Sequence, residues 1–245
     1  MNSRPAPPTG PAYRRLSVAE RRGQLITTAQ RLFAHRPPED VSLDDVAQAA
    51  GVSRPLVYRY FPGGKQQLYE AALRGAAEDL TLCFAEPAQG PPTERLARVL
   101  DRYLAFVTEH REGFTALLKG GSVVETSRTS AIVDQVRRAA AGQILHHLRA
   151  SDPGPRLLMA VRTWITAVEA ASLIWLDDGR QPPAGQLRDW LVDHCVSLLA
   201  VTATHDRETA AVLERLTGLE TPDGRVRRLV DGLAPLLAAA PPAAS

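Results

Sequence analysis

The feature that most limits what this chain can become is the spacing of its apolar residues, which recur every three to four positions almost from end to end. Leu25, Ala29, Leu32 and Phe33 mark one stripe, Leu43, Val46, Ala47 and Ala50 a shorter one, and Leu96, Leu100, Tyr103, Leu104 and Val107 a third. That spacing puts side chains on one face of a helix, whereas a half-buried strand would alternate at every second residue. No stretch alternates in that way and no internal repeat is present. The sequence therefore predicts an all-α fold.

Proline and glycine divide the helices. Pro37 and Pro38 end the first, and a third short helix is expected over about 53–60, with a longer one over about 65–84. The run PAQGPP at 87–92 is the clearest break, and the apolar faces of 96–118 follow it. Val133, Val136, Ala140, Ile144 and Leu148 define the next helix, and DPGP at 152–155 separates it from Leu157–Leu176. GRQPP at 179–183 precedes a helix over about 185–204, and the tail reads as two more, about 206–217 and 224–239. Residues 1–15, rich in proline and without apolar period, are expected to form a disordered arm carrying Arg14 and Arg15.

Composition narrows the class. A hydrophobic content of 44% excludes a disordered chain. The longest apolar runs are too short to span a bilayer and the N-terminus lacks a signal-peptide core, so a cytoplasmic protein with no membrane partner is expected. Cys83 and Cys195 have no CxxC neighbour and read as small buried hydrophobes, with a disulfide or a redox sensor as the alternatives. The overall charge of +2 conceals an asymmetry: residues 1–75 carry eleven Lys/Arg against six Asp/Glu, residues 76–245 eighteen against twenty-one. A basic front on a mildly acidic body points to a nucleic-acid contact at one end, or to a solvated charged face.

The chemistry concentrates in SLDDVAQAAGVSRPLVYRYFPGGK, residues 42–65. Ser42 and Asp45 form an S-x-x-D capping signal, Gly51 permits a left-handed turn, Ser53 can cap the next helix and Pro55 falls in its first turn. Helices joined so tightly cross steeply with close backbones, which needs a small residue at the contact. Ala47 supplies it, and Val46, Ala50, Val52 and Val57 close the corner from inside. This is the arrangement of a helix-turn-helix whose second helix enters the major groove.

The run VAQAAGVSRPLVYRYFPGGKQQLYEAAL resembles the DNA-binding domain of the TetR family of bacterial repressors, through Ala50-Gly51-Val52-Ser53, the Tyr58/Tyr60/Phe61 cluster and Lys65 with Leu68. The resemblance implies an N-terminal three-helix helix-turn-helix domain over 16–63, a helical effector-binding and dimerisation domain over 64–205, and a C-terminal extension over 206–245 whose end is disordered. It places Ser42, Ser53, Arg54, Pro55, Leu56, Tyr58, Arg59, Tyr60 and Lys65 at double-stranded operator DNA. Guanidinium groups at 54 and 59 suit bidentate bonds to guanine, Pro55 suits a thymine methyl, and Tyr58, Tyr60 and Lys65 suit phosphates. Three departures stand out: three residues separate Phe61 from Lys65 where two are commoner, Leu56 replaces a frequent Thr, and the tail runs past the usual final helix.

In the body, Leu157, Val161, Ile165, Val168, Ser172 and Trp175 form one stripe, and Leu187, Trp190, Leu191, His194 and Leu198 another, each widened by apolar neighbours. A helix apolar beyond one stripe needs a partner on each side, from within the chain or from a second copy. The resemblance favours a homodimer, placing Ile165, Val168, Trp175, Leu187, Trp190, Leu191, His194 and Leu198 at its interface. It also implies an effector cavity, for which Tyr103, Phe106, Phe114, Leu118, Trp164 and Glu169 are the candidates, with His110 and Arg162 as further polar groups. The effector is expected to be small, mostly apolar and to release the protein from its operator.

An enzyme is the rival class. His146–His147 and His194–Cys195 are adjacent on helices, so their side chains diverge by about 100° and make poor metal or catalytic pairs. No phosphate loop, nucleophile elbow or HExxH is present, and no metal or cofactor is expected. A DNA-binding protein without an effector is the remaining alternative.

Overall fold

A computed structural model describes residues 16–119 and 126–238, and the helices follow the expected breaks closely. The arm with Arg14 and Arg15 and the Pro/Ala end beyond 238 lie outside the described residues. No strand occurs among the described residues. Helix α1 (Val18–His35) begins at Ser17, whose hydroxyl accepts from the Glu20 amide at 3.2 Å while the Glu20 carboxylate accepts from the Ser17 amide at 2.7 Å. It ends at Arg36, where Pro37 and Pro38 follow in extended and 3-10 backbone.

Helices α2 (Leu43–Ala49) and α3 (Arg54–Tyr60) form the expected corner. Gly51 turns it at φ +64°, and the Val52 amide donates to the Ala47 carbonyl at 2.9 Å, closing the step between the helices. Val46, Ala47, Ala50 and Val57 are buried behind it, as the sequence predicts, with Val52 partly covered. Ser42 caps α2 through a reciprocal capping box with Asp45, which holds the Asp45 carboxyl down at about 2. One expectation fails: Ser53 occupies the N-cap of α3 in extended backbone, but its hydroxyl makes no capping bond.

Two apolar cores share one helix. Leu25, Phe33, Val41, Val46, Val57 and Phe61 form the first, and α4 (Gly64–Cys83) adds Leu68, Tyr69 and Ala72 to it. Further along, α4 leans Leu80 on the second core, where Phe84 is buried. That core is built from α5 (Pro92–Glu109), α7 (Ser127–His147), α8 (Pro155–Asp177) and α9 (Ala184–Ala203), around Leu100, Leu104, Val107, Leu157, Trp164 and Leu191. The apolar stretch 96–118 is broken at His110 into α5 and α6 (Arg111–Lys119).

Helix α8, at 23 residues, is long and apolar enough by length and composition to cross a membrane, contrary to the expectation of only short apolar runs. Leu157, Val161, Trp164, Ile165, Val168, Trp175 and Leu176 are instead buried against neighbouring helices, so its hydrophobicity is that of a central core element. The tail folds back: α10 (Arg207–Thr217) packs on α9 and α8, and α11 (Arg225–Ala238) is tied to α9 by Arg225, which meets Asp189 at 2.6 Å and Asp193 at 3.1 Å. Cys83 and Cys195 are both free thiols and both only partly buried, short of the burial expected from the sequence; the surroundings of the Cys195 sulfur push its thiol up to about 12, which keeps it protonated and unreactive.

The Gly51 turn is a direct test of the corner. A Cβ there would meet no atom within 4 Å, so Gly51→Ala carries only the cost of left-handed backbone. It should destabilise the protein by about 1–2 kcal/mol in denaturant unfolding.

Candidate nucleic-acid interface and ligand cavity

The short helix α3 divides its side chains cleanly. Val57 is fully buried against the first core, and Leu56 and Tyr60 are partly covered. Ser53, Arg54, Pro55, Tyr58 and Arg59 are exposed on the opposite face. Positions 54, 55, 58 and 59 form one continuous strip along the helix, because residues one turn apart lie above one another. The guanidinium of Arg54 stacks 5.6 Å from the Tyr58 ring centroid, donates to its hydroxyl at 3.4 Å and pairs with Asp44 at 2.9 Å. Both members of that ion pair are more than half exposed, so it contributes little to stability and is readily exchanged for a base or a phosphate.

The remaining candidates flank this strip. Lys65 donates to the Glu39 carbonyl at 3.0 Å, which parks its ammonium beside the loop before α2. The Ser42 hydroxyl is engaged with Asp45. Gln24 of α1 donates to the Ala50 carbonyl at 3.1 Å and Arg22 lies 5.2 Å over the Phe61 ring, so α1 braces both ends of the reading unit. Sequence reasoning missed those braces, since neither residue belongs to a motif.

The body contains a partly open cavity of about 260 Å³ walled almost wholly by carbon. All six candidates, Tyr103, Phe106, Phe114, Leu118, Trp164 and Glu169, line it, as does His110, but Arg162 is exposed and does not. Their chemistry differs from expectation in two cases. The Glu169 carboxylate is held by Arg137 in a two-pronged pair at 2.8–3.1 Å, so it is already satisfied. The Trp164 indole N–H donates to the Leu191 carbonyl at 3.0 Å, which makes it core and cavity wall together. The Tyr103 hydroxyl is buried near Ser172 without a hydrogen bond of ordinary geometry, and burial holds its ionisation far above the usual range, so it stays neutral.

At one end the cavity reaches Gln30, Phe33 and Ala34 of α1. There α6 comes so close that a Cβ on Gly113 would lie 2.9 Å from the Phe33 carbonyl oxygen. At the other end it is bordered by Leu213, Leu216 and Glu220 of the tail. Neither end was foreseen, because contacts between distant segments leave no local pattern. Among the described residues no group of three or more His, Cys, Asp or Glu is placed to hold a metal ion.

Comparison with known proteins agrees with this geometry. Residues 25–72 match the family model for bacterial regulatory proteins of the tetR family, and 92–198 the model for a tetracyclin repressor-like C-terminal domain. A crystal structure of a tetR-family transcriptional regulator from Streptomyces coelicolor aligns with a TM-score of 0.86 and 49% identity, covering 91% of this chain and all of that one. The chain belongs to the TetR family of bacterial transcriptional regulators. It is a DNA-binding regulator and not an enzyme.

Other relatives match over less. The HTH-type transcriptional activator FasR of Mycolicibacterium smegmatis is 26% identical over 172 residues, 68% of this chain and 77% of that protein. The HTH-type transcriptional regulator EthR of Mycobacterium tuberculosis is 44% identical over 55 residues, only 22% of this chain and 26% of its own length.

The expected pairing residues need revision. Ile165, Val168, Trp175, Leu187 and Leu191 are buried inside this TetR-family chain and present no surface to a second copy. Each sits on the side of its helix that packs against the body. Trp190 is exposed, stacked on His194, which with Leu198 is partly covered. The outward apolar residues are Met159 and Ile174 on α8 and Trp190 and Val201 on α9, of which only Trp190 was picked out from sequence.

The division of labour at the DNA face yields two outcomes. Lys65→Ala should weaken binding to all duplexes and lower the slope of log affinity against log salt by about one. Arg54→Ala should relax preference at one base pair, by about 1–3 kcal/mol, in a salt-controlled binding assay against single-substituted operators.

Proposed function

We propose that the protein is a cytoplasmic homodimeric repressor that reads a twofold operator with α3 and leaves it when a small, mostly apolar molecule fills the cavity. The observation that carries this reading is the reach of the cavity: its wall includes Gln30, Phe33 and Ala34 of α1, the helix that braces the DNA-reading corner. A ligand there touches the sensing body and the reading unit at once. The close α1–α6 approach at Gly113 and the shared helix α4 give it two rigid routes to α3.

One α3 helix reads only a few base pairs, so specificity needs two half-sites at fixed spacing, about 34–36 Å between successive major grooves. The dimer face we assign is the exposed side of α8 and α9, with Met159, Ile174, Trp190 and Val201 supplying apolar contact. A small change in the spacing of the two reading helices then misplaces one of them. Tenfold weaker DNA binding requires a ligand preference of about 1.4 kcal/mol for the misaligned state.

An activator is the second reading, favoured by the similarity to FasR, a transcriptional activator that aligns with 68% of this chain. A promoter fusion separates the two: a repressor's deletion raises transcription from the operator, an activator's lowers it.

Two measurements test the proposal itself. Trp190→Glu with Val201→Glu should give folded monomers in sedimentation that no longer bind operator, whereas a charge at buried Leu191 should unfold the chain instead. Any ligand of the cavity should lose affinity by the same factor when operator is present as operator loses when ligand is present. Equal ligand affinity with and without operator would remove the cavity from the regulatory mechanism.

A further inference from the structure

The cavity is not uniform in chemistry. Near the tail it meets Arg95, the fourth residue of α5, which is only 7% exposed. Its Nε has no hydrogen-bond partner, and its Nη1 approaches His147 Nδ1 at 3.4 Å. A buried guanidinium without a carboxylate is costly, because nothing replaces the water it has lost. The acids nearby are already committed. Glu86 is bound by Arg98 at 2.6 Å and Arg102 at 2.8 Å, and Glu220 accepts from the Thr93 amide and hydroxyl, both at 2.7 Å.

Arg95 and His147 also face outward, into a second cavity of about 440 Å³. Its other walls include His146 and Arg149, and among the described residues no carboxylate lines it. Arg149 holds φ +54° just after α7, a left-handed position that usually falls to glycine, yet here it carries a cationic side chain toward this space. His147 accepts from Arg95 through Nδ1, which leaves its proton on Nε2, a buried atom without a partner and a second donor at the junction. Burial, then Arg95, lowers the affinity of His147 for a further proton. The tail completes the junction, with Leu219 on the outer cavity and Leu216 on the inner one.

We infer that the molecule sensed by this protein is an anionic amphiphile: a linear apolar chain lies in the inner cavity and its carboxylate or phosphate head is bound by Arg95 and His147. The inference rests on the proposed role of the inner cavity as the effector site and specifies what fills it. A guanidinium binds either oxyanion through paired N–H donors, so both a free fatty acid and an acyl chain esterified to a phosphate-bearing carrier share the required chemistry. They differ in where charge extends: a carboxylate ends at the junction, whereas a carrier's phosphates continue into the outer cavity toward Arg149.

The test titrates the full-length protein with dodecanoate, dodecanoyl-coenzyme A and dodecanol by calorimetry, with folding of each variant checked by thermal melting. At least one of the two anionic probes should bind ten times or more tighter than dodecanol. Arg95→Met should erase that advantage while leaving dodecanol affinity unchanged, and Arg95→Lys should restore part of it. Arg149→Ala should weaken dodecanoyl-coenzyme A alone if the head is a carrier phosphate, and neither probe if it is a carboxylate. Dodecanol binding as tightly as both anions would overturn the inference while leaving an effector cavity in place. Failure of all three probes to bind would overturn the inference together with the apolar-effector reading beneath it. Should Arg95→Met fail to fold, the ranking of the three probes on the unaltered protein still decides.

Discussion

Helix α4 belongs to two cores at once, and the rest of the architecture depends on that. Its first half, through Leu68, Tyr69 and Ala72, completes the packing behind the DNA-reading corner. Farther along, Leu80 rests on the body, where Phe84 is buried just beyond the helix end. Interiors packed at crystal-like density transmit displacement instead of absorbing it. Leu80 and Leu68 stand on one continuous helix, so α4 is a direct mechanical connection between the body and the core behind α3. The approach of α6 to α1 at Gly113, where even one added carbon meets a carbonyl oxygen at 2.9 Å, is a second junction of the same kind.

The two functional regions treat charge in opposite ways. On the DNA face, Arg54 and Lys65 are exposed or nearly so and hold provisional partners, Asp44 and the Glu39 carbonyl, which water or a phosphate replaces at little cost. Around the cavity, charge is either fully spent, as in Arg137 with Glu169 and Glu86 with its two arginines, or left buried without a counter-ion, as at Arg95. A surface cation awaits a polyanion that arrives from solvent. A buried one demands a partner that comes inside.

Much of this was legible in the sequence, though unevenly. Helix boundaries fell within a few residues because proline, glycine and capping residues act locally: Ser42 with Asp45, Gly51 and Pro55 each do in the structure what their chemistry implies. The six candidate residues line one cavity because the helical faces that carry them turn toward the same interior. Ser53 misled, since a side chain suited to capping need not make the bond. The pairing residues misled for a deeper reason: the widest stripes of α8 and α9 face the body, and the sparser outward residues, Met159, Ile174 and Val201, left no stripe to read.

By itself, the sequence determined the helices, their order, the sharp corner between α2 and α3, and which side chains that corner turns outward. Those follow from torsion preferences and 3.6-residue geometry, which act within a few neighbours along the chain. Only the tertiary structure decided which apolar face each helix gives to which neighbour, that the cavity reaches α1 at one end and the tail at the other, and that Arg95 is buried without a counter-ion. Burial is a property of everything packed around a residue, and the side chain that meets the Arg95 guanidinium, His147, comes from α7, more than fifty residues away in the chain.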